Sequence, residues 1–130
     1  MSDRGESPPR RALATPAGLK LASPDEVAPD TARHFSLAVE DGLFQGFVVH
    51  KEGGFYGFVD LCPHTMLSLT ESPADDYLTP QADLITCARH GALFRITSGQ
   101  CIAGPCAGRA LIPWPVRVEN DDLVTADVIK

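Results

Sequence analysis

Positive charge is scarce in this 130-residue chain: eleven Lys and Arg stand against seventeen Asp and Glu, a formal net charge of −6. Nucleic acid and anionic membrane surfaces are recognised by clustered Lys and Arg, so the balance argues against both. Long apolar runs are missing as well. No stretch approaches the length of a membrane span, and the N-terminus lacks the basic-then-apolar layout of a secretory signal. Arg10-Arg11 precedes a weakly apolar stretch holding Pro16 and Gly18, which does not fit a twin-arginine signal. The expected location is therefore cytoplasmic. Neither a Gly-rich nucleotide loop nor a His-His-carboxylate set for mononuclear iron occurs, and the length leaves no room for a separate catalytic domain. No catalytic residue is expected.

Glycine and proline, eleven of each, are what the chain has instead, and with few long periodic apolar stretches they favour a β-rich, loop-rich fold over a helical bundle. Residues 1–17 are rich in Pro, Arg, Ser and Ala without periodicity and read as a mobile tail. A single domain over residues 18–130 follows. Ser23-Pro24-Asp25-Glu26 suits a capped turn or short helix. Strands are expected near His34 to Val39, Leu43 to His50 and Phe55 to Asp60, the last two joined through Gly53-Gly54. Further short strands are expected at Leu84 to Thr86, Ala92 to Ile96, Gln100 to Ile102, Ala110 to Pro113, Val116 to Glu119 and Leu123 to Val128, with a hairpin turn at Asn120-Asp121-Asp122. The acidic, Pro-containing stretch Glu71 to Asp83 reads as a surface excursion with a solvated face.

Four cysteines in an intracellular chain point to metal before disulfides. Two short motifs, Cys62-Pro63-His64 and Cys87-Ala88-Arg89-His90, each offer one thiolate and one imidazole. In an extended segment side chains two apart point the same way, so Cys62 and His64 can face one site while Pro63 stiffens the backbone. Cys87 and His90, three apart, converge in a turn, and Gly91 lets the chain leave sharply. The set suits a binuclear iron-sulfur cluster with two thiolates on one iron and two imidazoles on the other. With two ferric irons, two sulfides and two thiolates the formal charges cancel, so one added electron leaves a single negative charge. Four thiolates would make that addition harder. A structural Cys2His2 zinc module is the competing use of the same atoms, although one-residue Cys-to-His spacing is unusual for zinc. The 22 residues between His64 and Cys87 do not threaten either reading, because loop-closure cost rises only about 0.6 kcal/mol per doubling of length.

From about Leu19 to Lys130 the chain resembles the Rieske [2Fe-2S] domain, in its small soluble ferredoxin form. The resemblance rests on Cys62-Pro63-His64, on Cys87-Ala88-Arg89-His90-Gly91 followed by Phe94, and on Gly99-Gln100-Cys101 leading to Gly104-Pro105. It implies an all-β fold, a Rieske-like antiparallel β-sandwich with a small cluster-binding subdomain at one tip. It also implies one [2Fe-2S] cluster, with Cys62 and Cys87 on one iron, His64 and His90 on the outer iron, and Gly104-Pro105 shielding them. The implied role is one-electron transfer from a flavin-containing reductase to a terminal oxygenase, by a monomer or weak oligomer. A small subunit of a reductase complex and a redox-sensing protein are alternatives within the same chemistry. Two departures stand out: the stretch between the motifs is long, and Thr65-Met66-Leu67 occupies the place where a basic residue and glycine are common.

High-potential members of that family add a disulfide between the ligand loops and Ser and Tyr hydroxyls that donate to the cluster. The corresponding positions are Leu67 and Arg89 for the cysteines, Ala92 for the serine and Phe94 for the tyrosine. All these groups are missing, which places the expected midpoint at about −150 to −50 mV, the low end for such centres. Cys101 and Cys106 flank the shielding loop and read as packing residues, His34 and His50 as structural or solvated, and Trp114 as core or edge packing. Met66, Leu67, Ala92 and Leu93 are expected to form an apolar rim around the histidines.

Overall fold

The computed structural model describes residues 11–39, 42–63, 69, 77–87, 91–104 and 108–126. In chain order the strands are β1 (Arg11–Ala12), β2 (Lys20–Ala22), β3 (Thr31–Val39), β4 (Gly42–Lys51), β5 (Gly54–Val59), β6 (Leu84–Thr86), β7 (Leu93–Arg95), β8 (Cys101–Ala103), β9 (Val116–Glu119) and β10 (Asp122–Thr125). Among the described residues the helical content is a single 3-10 turn, Pro24–Glu26. Pro24 begins it, and the Glu26 carboxylate accepts the Ser23 N–H at 3.0 Å and Arg33 Nη1 at 3.1 Å. Those two partners, the Ser23 N–H first, hold the Glu26 carboxyl below its ordinary range.

The described residues form three sheets, and β4 explains how they stack. Side chains alternate faces along a strand. Phe44 and Val48 therefore enter one core with Ala22, Trp114 and Leu123, while Phe47 and Val49 enter a second with Ile85, Phe94 and Cys101. Burial on both faces is why Leu43 to Val49 is so apolar a run. The first sheet, β3, β4, β5 and β1, thus lies between a second made of β2-β10-β9 and a third made of β6-β7-β8. β3 pairs antiparallel with β4 along its own full length, from Thr31 opposite His50 to Val39 opposite Gly42. β5 pairs from Gly46 opposite Val59 to Lys51 opposite Gly54. Asn120 and Asp121, at φ 53° and 64°, make the primed turn that joins β9 to β10.

Four sequence expectations need correction. Residues 1–10 of the expected tail lie outside the described residues, and residues 11–16 are tied to the fold through β1, the buried Ala12, Thr15 and Pro16. β1 pairs parallel with Leu43 and Phe44, an exception to the otherwise antiparallel ladders. Trp114 Nε1 donates to Thr15 Oγ1 at 2.8 Å, and the buried Thr125 hydroxyl donates to the Pro16 carbonyl at 2.6 Å. Composition hid this because the contacts are made with residues about a hundred positions away. Second, Ala110 to Pro113 is no strand. It makes two single bridges, Ala110 with Gln100 and Pro113 with Phe58, because Pro113 and Pro115 have no N–H to continue a ladder. Third, the Glu71 to Asp83 stretch is not wholly a surface excursion. Residues 71–76 lie outside the described residues, but Tyr77 is buried, and Leu78 bridges Ile85. Fourth, Ala92 is buried and forms no part of an exposed rim; Met66 and Leu67 lie outside the described residues.

Candidate metal centre

Both cysteines of the paired motifs sit where a strand of one sheet has just ended. β5 stops at Val59 and delivers Asp60, Leu61 and Cys62; β6 stops at Thr86 and delivers Cys87. Each cysteine is 1% exposed, and both belong to the apolar cluster that includes Leu69, Tyr77, Ile85 and Phe94. β5 and β6 are in different sheets, so the interface between middle and third layers brings the two thiols into one environment.

The backbone around them is closed by hydrogen bonds. After β5 the Leu61 N–H donates to the Val59 carbonyl at 2.8 Å, a tight turn that redirects the chain into Cys62. The Cys87 N–H donates to the Ala92 carbonyl and the Gly91 N–H to the Cys87 carbonyl, both at 2.9 Å. Gly91 has φ +70°, as the expected sharp exit requires. The second loop is therefore a closed turn whose first and last described residues, Cys87 and Ala92, are bonded to each other.

A third segment locks onto both loops. Gly104, at φ +99°, lies so close to Ala92 that an added Cβ would stand 2.8 Å from the Ala92 Cα. Arg109 reaches back to the first loop, its Nη1 donating to the Pro63 carbonyl at 3.0 Å, while its own carbonyl accepts the Cys101 N–H at 2.8 Å. Gly104 thus lies directly against Ala92 of the second loop. Cys101 is buried, with its thiol donating to the Ala103 carbonyl at 3.2 Å, in keeping with a packing role. Pro105 and Cys106 lie outside the described residues.

His64 and His90 also lie outside the described residues. Among those described, no group of three His, Cys, Asp or Glu side chains gathers to hold a metal ion. The remaining two histidines are built into the scaffold. His50 Nδ1 lies 2.8 Å from the Val27 carbonyl, with its ring stacked on Phe55, and His34 Nε2 lies 3.2 Å from Gln45 Oε1. Trp114 is core, packed on Phe44 at 4.6 Å between ring centres.

Sequence reading did not single out Asp60, Tyr77 and Arg109. Arg109 looks like any surface cation until the chain is folded. Asp60 had one signal, an acidic residue at the end of the otherwise apolar Phe55 to Val59 strand and two positions before Cys62.

The donor set fits an iron-sulfur group in its thiolate half. Two buried cysteines supply soft ligands, and the apolar walls of Phe94, Ile85 and Leu69 keep water from them. Comparison with known proteins agrees. The chain matches the Rieske [2Fe-2S] domain family over residues 19–120. It is 29% identical over 89 residues to ferredoxin CarAc of Metapseudomonas resinovorans, covering 68% of this chain and 74% of that protein. Among solved structures it resembles a chain of the complex of reduced oxygenase and oxidized ferredoxin in carbazole 1,9a-dioxygenase. That likeness has a TM-score of 0.68 at 26% identity and covers 86% of this chain and 94% of that one. The ferredoxin of carbazole 1,9a-dioxygenase from Nocardioides aromaticivorans IC177 shares the fold, with a TM-score of 0.64 at 20% identity over 94% of this chain and all of that one. Sheet architecture, buried thiol pair and family match converge: the chain belongs to the Rieske [2Fe-2S] domain family, whose cofactor is a [2Fe-2S] cluster.

Proposed function

We propose that the protein is a one-electron carrier of the Rieske ferredoxin type, with Cys62 and Cys87 on one iron and His64 and His90 on the other. The observation that carries this assignment is the pair of buried thiols at the ends of β5 and β6, held in one apolar cluster under the Gly104 turn. When bound, a [2Fe-2S] cluster supplies reversible one-electron chemistry. The chain's part is to hold it. Cys62 and Cys87 would supply its thiolate ligands, Phe94, Ile85 and Leu69 exclude water, and Arg109 and Gly104 tie the surrounding segments together.

The carrier would take its electron from a flavin-containing reductase and pass it to a terminal oxygenase, with His64 and His90 as the ligands of the outer iron. Support for the acceptor comes from the relatives, one of which is a chain of an oxygenase–ferredoxin complex. The protein is thus a component of an oxygenase system and not itself an enzyme. Residues 18–130 form the Rieske domain, and residues 11–16 are tied to it by the β1 pairing and the Thr15 and Pro16 hydrogen bonds. No helix among the described residues is long and apolar enough to cross a membrane, and we place the carrier in the cytoplasm.

The purified protein is expected to be brown, with two irons and two labile sulfides per chain. After dithionite reduction it should give a rhombic paramagnetic resonance signal with average g below 2. Stoichiometric zinc with no visible absorbance would overturn the assignment. Reduction by a flavin reductase with no onward transfer to any oxygenase would refute the carrier role while leaving the cluster in place.

A further inference from the structure

We infer that Asp60 is a positioning residue for the first ligand loop: its carboxylate fastens the segment joining the two loops and sets a negative charge two residues from Cys62. The inference rests on Cys62 being a cluster ligand.

Asp60 is 1% exposed. A buried carboxylate is expensive unless donors surround it, and here the donors come from the connecting segment. Oδ1 accepts the Leu69 N–H at 2.9 Å, and Oδ2 accepts the Tyr77 hydroxyl at 3.0 Å. Leu69 and Tyr77 are the last described residue before, and the first after, the stretch 70–76. One side chain therefore pins both ends of it. Both donors are themselves fixed, since Leu69 is fully buried and Tyr77 stacks on Phe47 of β4 at 4.2 Å and 11°.

Asp60 is equally fixed to the sheet. Its own N–H donates to the Gln45 carbonyl of β4 at 3.0 Å, and His34 Nε2 of β3 lies 3.8 Å from Oδ2. The clamp thus joins β3, β4, the Cys62 approach and the inter-loop segment. An apolar side chain at position 60 fills similar volume but leaves the Leu69 N–H and the Tyr77 hydroxyl without this acceptor. The Leu69 N–H and the Tyr77 hydroxyl call for acceptor oxygens, and the Asp60 side chain offers one to each. A negative charge there, two residues from Cys62, would disfavour adding an electron to the cluster that Cys62 would hold.

The test uses the holoprotein and the variants Asp60→Asn, Tyr77→Phe and Cys62→Ser. Asp60→Asn keeps the shape, removes the charge and replaces one acceptor oxygen by an NH2 donor. It should raise the equilibrium constant for reduction about tenfold, which is 59 mV for a one-electron couple. Tyr77→Phe keeps the charge and opens half the clamp. Its midpoint should stay at the wild-type value, while its iron passes to a chelator several-fold faster. A buried residue with a merely structural role would change thermal stability without moving the midpoint. An Asp60→Asn protein with wild-type potential overturns the inference, as does a Tyr77→Phe protein with wild-type iron release. Should Asp60→Asn assemble no cluster, the Tyr77→Phe release rate decides alone. Cys62→Ser separates the two claims: if that variant still binds two irons, the ligand assignment itself has failed.

Discussion

Arg109 donates from Nη1 to the Pro63 carbonyl at 3.0 Å, across 46 positions of sequence, and so ties the segment that follows Gly104 to the Cys62-Pro63 segment. The bond crosses between two loops that share no strand pairing. High-potential Rieske proteins use a disulfide between their ligand loops; the corresponding positions here are Leu67 and Arg89. Arg109 supplies a different and weaker tie, from a third segment to the first loop. Because its side chain is exposed, the tie is worth about 1 kcal/mol. Arg109→Ala is expected to lower the melting temperature by about 4 °C. Its cluster absorbance should bleach faster in air than that of wild type, with Arg109→Lys intermediate because it lacks the planar fork. Visible-absorbance melts check both.

Gly104 and Gly91 both have positive φ, +99° and +70°, but differ in surroundings. An added Cβ at Gly91 meets nothing within 4 Å, whereas at Gly104 it meets the backbone of Ala92 at 2.8 Å. Gly91→Ala should therefore cost about 1–2 kcal/mol, the ordinary left-handed penalty. Gly104→Ala must also push the shielding segment off the second ligand loop, so it should be the more damaging in both denaturant midpoint and cluster lifetime. Equal effects would show that the Gly104–Ala92 approach is not what holds that turn.

Three buried cysteines divide by role. Cys62→Ser and Cys87→Ser should each abolish the visible spectrum and the reduced-state resonance signal. Cys101→Ala should keep two irons and two sulfides per chain and cost about 1 kcal/mol, the scale of a lost weak hydrogen bond plus one buried sulfur. Iron and sulfide analysis of the three variants makes the comparison directly.

Ala92 and Phe94 are both buried and carry no hydroxyl, so neither donates a side-chain hydrogen bond to the site. A midpoint of about −150 to −50 mV is expected. A hydrogen bond to a charged group is worth roughly 1.5–3 kcal/mol, which sets about 65–130 mV as the most that one donor can add. Ala92→Ser, the smaller change, should raise the midpoint within that ceiling. A wild-type midpoint above about +100 mV would refute the low-potential reading.

Local chemistry was readable wherever neighbours in sequence are neighbours in space. The hairpins at Gly53 and Asn120-Asp121, the strand Leu84–Thr86 and the sharp turn at Gly91 are all set by φ preferences and alternation within a few residues. The same holds for the cysteine motifs, whose one- and two-residue spacings are local statements. Residues 11–16 were misread because their value lies in Thr15 meeting Trp114 and Pro16 meeting Thr125. Tyr77 was assigned to a solvated excursion because its neighbours Asp75 and Asp76 are acidic. Its ring stacks instead on Phe47, thirty positions earlier.

By itself, then, the sequence determined an all-β chain of the Rieske family with two short Cys and His motifs and without the hydroxyls of a high-potential centre. These follow from residue type and short-range geometry. Only the tertiary structure decided which residues support that donor set. Asp60 gathers Leu69 and Tyr77, Arg109 reaches Pro63, and Gly104 seats on Ala92, because three stacked sheets bring distant loops within hydrogen-bond and van der Waals range. Hydrogen bonds act over about 3 Å and packing over about 4 Å, so such partnerships exist only once long-range strand pairing has brought the layers together.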